Sequence, residues 1–326
     1  RGRVIAATRR ILFGRPLASA EEIGERLSKK KALAIFSSDA ISSSAYAPAE
    51  ILRALLLAGV GLAALNLALP VAISIALLLG VVAISYRQVV VAYPTGGGSY
   101  SVSKANLGRL ASLVAAAALL IDYVLTVAVS ISSASEQIVA ALPALGPWQV
   151  FMAVVIVAVI TMANLRGVRE AGNIFAVPTY LFVGTALLMI VLGAWRIIVG
   201  GEGAAYPDMA ESSLDLASMA ILLLAMRAFA SGAVALTGTE AIATGVPAFE
   251  PPESRNAATT LAVMAVLLGT LFIGVTFLAS GFAVVPNEEE TVLSQVAGHV
   301  FGLESIGFYL FLTFAAIILM LAANTS

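Results

Sequence analysis

The 326-residue sequence contains no cysteine, a single histidine (His299) and only 11% charged residues. Without cysteine there is no disulfide, no thiolate nucleophile and no Cys-ligated zinc or iron–sulfur centre. One histidine leaves no His-based metal cluster either. Average soluble domains carry about a quarter charged residues, whereas 60% of this chain is hydrophobic and its mean hydropathy is +1.00. These shortages exclude a disulfide-framed secreted domain and cysteine chemistry, and they predict an all-α polytopic membrane protein. No Pro-rich or Ser-rich linker and no short-period repeat divides the chain. No resident cofactor and no nucleic-acid partner are expected.

What is abundant is apolar sequence in lengths near the ~20 residues that cross a bilayer. Eight candidate spans follow, at about 33–56, 66–86, 110–141, 148–164, 174–199, 217–247, 258–285 and 305–323. Half of the 18 Lys and Arg precede the first span, from Arg1 to Lys31, and most of the others fall in alternate links: Arg87, Lys104 and Arg109, then Arg166 and Arg169, then Arg255. The positive-inside rule places the N-terminus and these links in the cytoplasm, with the links around 202–215 and 288–290 outside. Residues 1–31 mix basic and apolar positions, as in a helix lying on an anionic inner leaflet, and show no signal-peptide pattern. The chain opens without methionine and stops close to its eighth apolar run, so it is expected to be a fragment. Five spans precede residue 200, an odd number, so a second copy beginning with the sixth span would be inserted upside down. The expected organisation is a basic N-terminal segment (1–31), a first five-helix repeat (32–200) and the start of an inverted second repeat (201–326).

Three carboxylates fall inside these spans. A charge at bilayer depth is unfavourable by roughly 2.5–3.5 kcal/mol on insertion scales, so such groups mark partners, cavities or ion pathways. Asp39 lies in a polar run, Ser37 to Tyr46, in which helical spacing aligns Asp39, Ser42 or Ser43, and Tyr46 on one stripe. Asp39 as a simple cap would leave the following serines and Tyr46 unexplained. Asp122 is roughly 18 Å along the third span, too deep for capping or snorkelling, and Thr126 and Ser130 continue its face. Glu240 sits in Thr237, Gly238, Thr239, Glu240, with Thr244, Gly245 and Pro247 following. Glycines beside a buried acid mark a helix that breaks in mid-membrane, which is tolerated only where backbone lines a cavity or is buried in protein. The first and sixth spans are therefore expected to be discontinuous. Arg227, before the break on the same span, is left open between an outer gate and an ion-pair partner.

Other features point less sharply. Tyr93 to Tyr100, with Gly96, Gly97 and Gly98, resembles a phosphate-cradling loop only superficially, because no strand precedes it and the P-loop Lys and Ser/Thr are missing. Glu50, Arg53 and Glu136 fall near outer helix ends, where solvated roles are the default, and His299 reads as surface.

Three ionised carboxylates together would leave two negative charges uncompensated after one monovalent cation binds. Burial and like-charge neighbours favour protonation, so at least one acid is expected to hold a proton near neutral pH. Proton-coupled cation uptake follows, with Asp39, Asp122 and Glu240 as coupling candidates. Carboxylate, hydroxyl, phenol and carbonyl oxygens are hard ligands suited to alkali or alkaline-earth ions.

SSDAISSSAYAPAEIL (37–52), SYRQVVVAYPTGGGSYSVSKANLG (85–108), LLIDYVLTVAVSIS (119–132), NLRGVREA (164–171), ALTGTEAI (235–242), PPESRNAATTLA (251–262) and LAANT (321–325) resemble the amino acid, polyamine and cation superfamily. Within it they resemble the KimA-type potassium importers related to the Kup family. The resemblance implies a LeuT-like inverted-repeat fold in a bacterial cytoplasmic membrane, in contact with membrane lipid, and a transporter rather than an enzyme. It implies potassium binding by Asp39, Tyr46, Asp122, Thr126, Thr237 and Glu240, with Ser43 and Ser130 as secondary candidates. For a full-length parent it further implies dimerisation and cyclic di-AMP binding through a C-terminal domain. The rival on the same fold is an amino acid or polyamine symporter, although Asp39 stands where an amino acid site presents donors to a carboxylate. An intramembrane aspartyl protease lacks its Gly-x-Gly-Asp companion here, and a non-transporting ion sensor is the remaining alternative.

Overall fold

The computed structural model describes residues 26–57, 61–165, 172–206, 218–287 and 290–325. The interfacial segment expected up to residue 25, the basic link with Arg166 and Arg169, most of the 202–215 link and Glu288 lie outside these. The described residues are helical, with two isolated β-bridges, Leu27 with Phe249 and Ala204 with Phe282. In chain order the helices are α1 (Lys29–Phe36), α2 (Ser38–Ser42), α3 (Ala47–Leu56), α4 (Ala68–Ala92), α5 (Gly98–Asn106), α6 (Arg109–Ala141) and α7 (Gln149–Leu165). After these come α8 (Gly172–Ile198), α9 (Ser218–Gly232), α10 (Ala241–Thr244), α11 (Glu253–Gly281), α12 (Val292–Phe301) and α13 (Ile306–Thr325).

Seven stretches among the described residues are long and apolar enough to cross a membrane, and the first expected span is not one of them because it is broken into α1, α2 and α3. The sixth is broken as well: α9 stops at Gly232, a 3-10 turn runs Ala233–Leu236, and Thr237 to Glu240 leave the helical path before α10. Two boundaries differ from the hydropathy reading. The second span continues past Arg87 to Ala92, and the link after it folds into α5; a window scan stops at the first charge, whereas a long side chain at a helix end reaches the interface without ending the helix. The link after α11 likewise contains α12, whose His299 stacks on Phe282 at 4.9 Å between centroids.

Packing follows lipid exposure. α7 and the turn before it have no buried side chain in their apolar window, as expected of a peripheral helix whose neighbour is hydrocarbon. α4 packs against α11, α6 against α13, and α9 against α3. A large apolar core gathers Ile51, Leu52, Leu55, Phe182, Phe272 and Phe311 on the side where α3 ends, and a second gathers Val90, Ile242, Phe249, Leu261, Met264 and Leu268 on the other. The two interrupted spans run between them. At the break in the sixth span Gly232 lies directly on α3 and α4: a Cβ there would press into Ile51 and come within 2.7 Å of Ile75. Small residues allow this approach where lipid offers no hydrophobic drive for association.

Gly232→Val should therefore cost about 1–3 kcal/mol, as overpacking does, and lower the unfolding midpoint in detergent. Gly80→Val, on the same bundle but with open space for 4 Å around the place a Cβ would take, should leave the midpoint unchanged.

Candidate functional site

The two breaks face each other. α1 ends at Phe36, and after it Ser38, Ser42, Ser43 and Ser44 each turn a hydroxyl back onto the carbonyl three residues earlier, at 2.6–2.8 Å. This back-bonding satisfies carbonyls that the interruption would otherwise strand at bilayer depth. Pro48 in the first turn of α3 then restarts the helix where a missing N–H is harmless. Across the gap, the Ser43 hydroxyl also reaches the Ala235 carbonyl at 3.0 Å. The Thr237 hydroxyl donates to the Val234 carbonyl (2.9 Å), so the proton shared with Tyr46 at 3.4 Å comes from the tyrosine. Gly238 has φ +75°, and a Cβ there would sit 2.6 Å from the Asp39 carboxylate. Asp39, Ser43 and Tyr46 thus all abut residues 235–238. Asp39 is 5% exposed, and it stands in the first turn of α2, one position past Ser38, rather than at its cap.

Asp122 and Glu240 are the other two acids, and among the described residues no three carboxylates lie close enough together to hold one metal ion. Asp122 is half-buried on α6, with buried Thr126 and Ser130 below it on the same face. The Ser130 hydroxyl has no hydrogen-bond partner among the described residues. Asp122 interacts electrostatically with Glu240, and both Asp39 and Asp122 with Tyr46. Tyr123 is a common neighbour: it interacts electrostatically with Glu240, Asp122 and Asp39. Sequence reasoning misses Tyr123, because a tyrosine next to Asp122 points away from that residue's own stripe.

It also misses what holds Glu240. The backbone N–H of Ser99, at the start of α5, donates to Glu240 Oε1 at 2.7 Å, and the Tyr86 hydroxyl donates to Oε2 at 3.1 Å. With the Tyr86 proton engaged, the contact between Tyr86 and Ser99 at 3.2 Å is donated by the serine. The glycine turn that resembles a phosphate loop does cradle an anion, but the anion is the chain's own carboxylate. Arg227 is exposed on α9.

Two further regions flank this centre. On the side carrying the basic links, Leu27 and residues 248–250 exchange two backbone hydrogen bonds (2.8 and 3.1 Å), Phe36 stacks on Phe249 at 5.6 Å, and Arg26 pairs with Glu253. On the other side a cavity of ≈ 320 Å³ is lined by Arg53, Glu136, Gln149, Asn287, Glu290 and Thr291, among others. Arg53 pairs with Glu50 at 3.0 Å, one turn away on α3. Charges expected to be separate and solvated are therefore collected around one opening.

Two broken spans meet at buried oxygen atoms, and residues 27–326 match the family described as amino acid permease. The chain belongs to the amino acid permease family. The chain is also 44% identical, over 319 residues, to the potassium transporter KimA of Bacillus subtilis (strain 168), a match covering 97% of the chain and 51% of KimA. The chain spans about half the length of that curated relative. Its all-helical membrane architecture is the one the resemblance implied.

Within the permease, Gly238 is the residue whose geometry most constrains the centre. Gly238→Ala must adopt a left-handed backbone, at about 1–2 kcal/mol, while pushing its Cβ into Asp39. It should lower the thermal midpoint and alter any ligand-induced shift of that midpoint. Thr239→Ser, which keeps the hydroxyl that bonds the Leu236 carbonyl, should do neither.

Proposed function

We propose that the chain carries the cation site of a potassium and proton symporter working by alternating access. The observation that supports it is the meeting of the two interrupted spans, where Asp39 lies against Gly238, two residues from Glu240, and Ser43 and Tyr46 reach Ala235 and Thr237, with Asp122 in electrostatic reach of Glu240. Tyr46, Thr126 and Thr237 add phenol and hydroxyl oxygens from three different segments, and Ser43 and Ser130 stand in reserve. The set is all oxygen, which suits a hard cation, and it carries more negative charge than one monovalent ion neutralises. Protons on one or more of the three acids supply the balance, so uptake follows the proton gradient. Potassium rather than another hard cation is the reading because the relative with 44% identity is named as a potassium transporter. The organisation is a first five-helix repeat over 32–200 and the start of its inverted partner over 201–326. The basic N-terminal segment and basic links lie in the cytoplasm of a bacterial cell, and the multi-pass bundle sits in its plasma membrane.

The family description favours one competitor, an amino acid or polyamine substrate. Asp39 disfavours the amino acid, because its carboxylate lies against Gly238 at the break where a substrate carboxylate would need donors. A polyamine would meet the same oxygens as a metal cation and is separated by transport.

The full-length protein in proteoliposomes should take up rubidium with an inward proton gradient and should ignore labelled amino acids and polyamines. Asp39→Asn, Asp122→Asn and Glu240→Gln should each lower uptake at least about tenfold, the effect of losing a charge-assisted contact worth roughly 1.5–3 kcal/mol. Undiminished, gradient-dependent uptake in all three variants rules the site out, and uptake of polyamine but not rubidium transfers it to the competitor.

A further inference from the structure

We infer that Tyr86 and the Gly96 to Ser99 turn are a receptor for the Glu240 side chain, which latches the second half of the broken sixth span shut on the basic face of the bundle. Tyr86 and Gly98 are then positioning residues for transport. The inference rests on the transport reading above.

Several observations converge on this turn. Gly96, Gly97 and Gly98 all have positive φ, +77°, +90° and +45°, a run that side chains would strain. The Gly97 N–H donates to the Thr244 carbonyl at 3.3 Å, the free C-terminal end of α10. The Ser99 N–H and the Tyr86 hydroxyl take the two oxygens of Glu240, at the start of that same short helix. The turn therefore grips α10 at both ends. The fit leaves no spare room: a Cβ on Gly98 would collide with the Glu240 carboxylate and approach Thr244 Oγ1 to 2.9 Å, and one on Gly96 would collide with the Thr244 carbonyl. The positive end of the α5 dipole lies on the same carboxylate.

The grip matters because of what α10 adjoins. Gly245, the next residue, would place a Cβ 2.7 Å from the Phe36 ring, and Phe36 stacks on Phe249. Releasing Glu240 frees α10 and, through Gly245, loosens the Phe36–Phe249 contact that closes the basic side. A residue that merely braced the fold would have no such directional consequence. In an alternating-access protein, opening one side closes the other, so a latch on the basic side has opposite effects on the two faces.

The absence of cysteine from these 326 residues makes the test direct. In the full-length protein, with any other cysteine replaced, two single reporters are introduced: Ala243→Cys, buried in α10, and Val139→Cys, lining the outer cavity. A membrane-impermeant maleimide is applied to each side of oriented vesicles. Tyr86→Phe removes one hydrogen bond to a charged group, so the inner reporter should label roughly tenfold faster and the outer one correspondingly more slowly. Gly98→Ala should shift both further in the same directions, and Glu240→Gln should mimic it. Tyr86→Phe is nearly isosteric, which keeps the test decisive if Gly98→Ala fails to fold. Reporters that both speed up, showing general loosening, or that both stay unchanged, would overturn the latch. Rubidium uptake by the unsubstituted protein is scored separately. Reciprocal labelling without uptake leaves the latch standing and removes the transport reading, while uptake without reciprocal labelling removes the latch alone.

Discussion

Backbone polar groups left open at bilayer depth are the constraint on which this structure turns. With no water to satisfy them, each unpaired N–H or C=O costs several kcal/mol, so an interrupted span is stable only against a partner supplying hydrogen bonds. Here the partner is the other interruption. Four serines after α1 donate to the carbonyls of Ile35, Asp39, Ala40 and Ile41, the Ser43 proton is shared between Ala40 and Ala235 across the gap, and Tyr46 donates to Thr237. Neither segment could keep its shape alone. The place where both helices fail is also the place where their hydroxyl and carbonyl oxygens meet, which is where the cation site is proposed.

The acids in this crowd are held differently, which gives them different parts to play. Glu240 is gripped by two donors from α4 and α5, so its position reports whether those elements are docked. Asp39 is wedged between its own helix and the bare Cα of Gly238, so it moves only if the two breaks part. Asp122 stands on an unbroken 33-residue helix and keeps its height in the membrane whatever the broken spans do. One carboxylate stands on a continuous helix and two beside the breaks, so the three are tied to different elements.

Much of this is legible in the sequence, for identifiable reasons. The three acids are conspicuous because charge in hydrocarbon is rare, and the breaks are readable because Gly238, Gly245 and Pro247 surround one of those acids and serines the other. The stripe of Asp39, Ser43 and Tyr46 follows from helical spacing and does face one partner, although a 3-10 turn at Ser43–Ala45 interrupts the helix on which the spacing is counted. What stays hidden depends on distant chain segments. Nothing local to Tyr93–Ser99 says that its anion is a side chain 141 residues away, and nothing local to Tyr123 says that all three acids lie near it. Helix α5 and the end of α4 escape a hydropathy scan because hydropathy marks where a chain is apolar, not where it is helical.

The two faces of the bundle are closed by unequal means, and the inequality bears on how it opens. On the side away from the basic links a cavity opens between charged residues, and the pair of Arg53 with Glu50 lies within a single helix, so it bars nothing between segments. On the basic side three contacts join separate segments: the aromatic stack of Phe36 on Phe249, the backbone pairing of Leu27 with 248–250, and Arg26 with Glu253. The ion pair is about one-third exposed at both partners, so solvent screens it and it adds little. An aromatic contact adds about 0.5–1.5 kcal/mol beyond its burial. The closure is a sum of small terms, of the size by which two states of one protein commonly differ. On the latch inferred above, a seal of that strength holds while the Glu240 contacts add to it and yields when they are withdrawn, whereas a seal built on one deeply buried ion pair would stay shut.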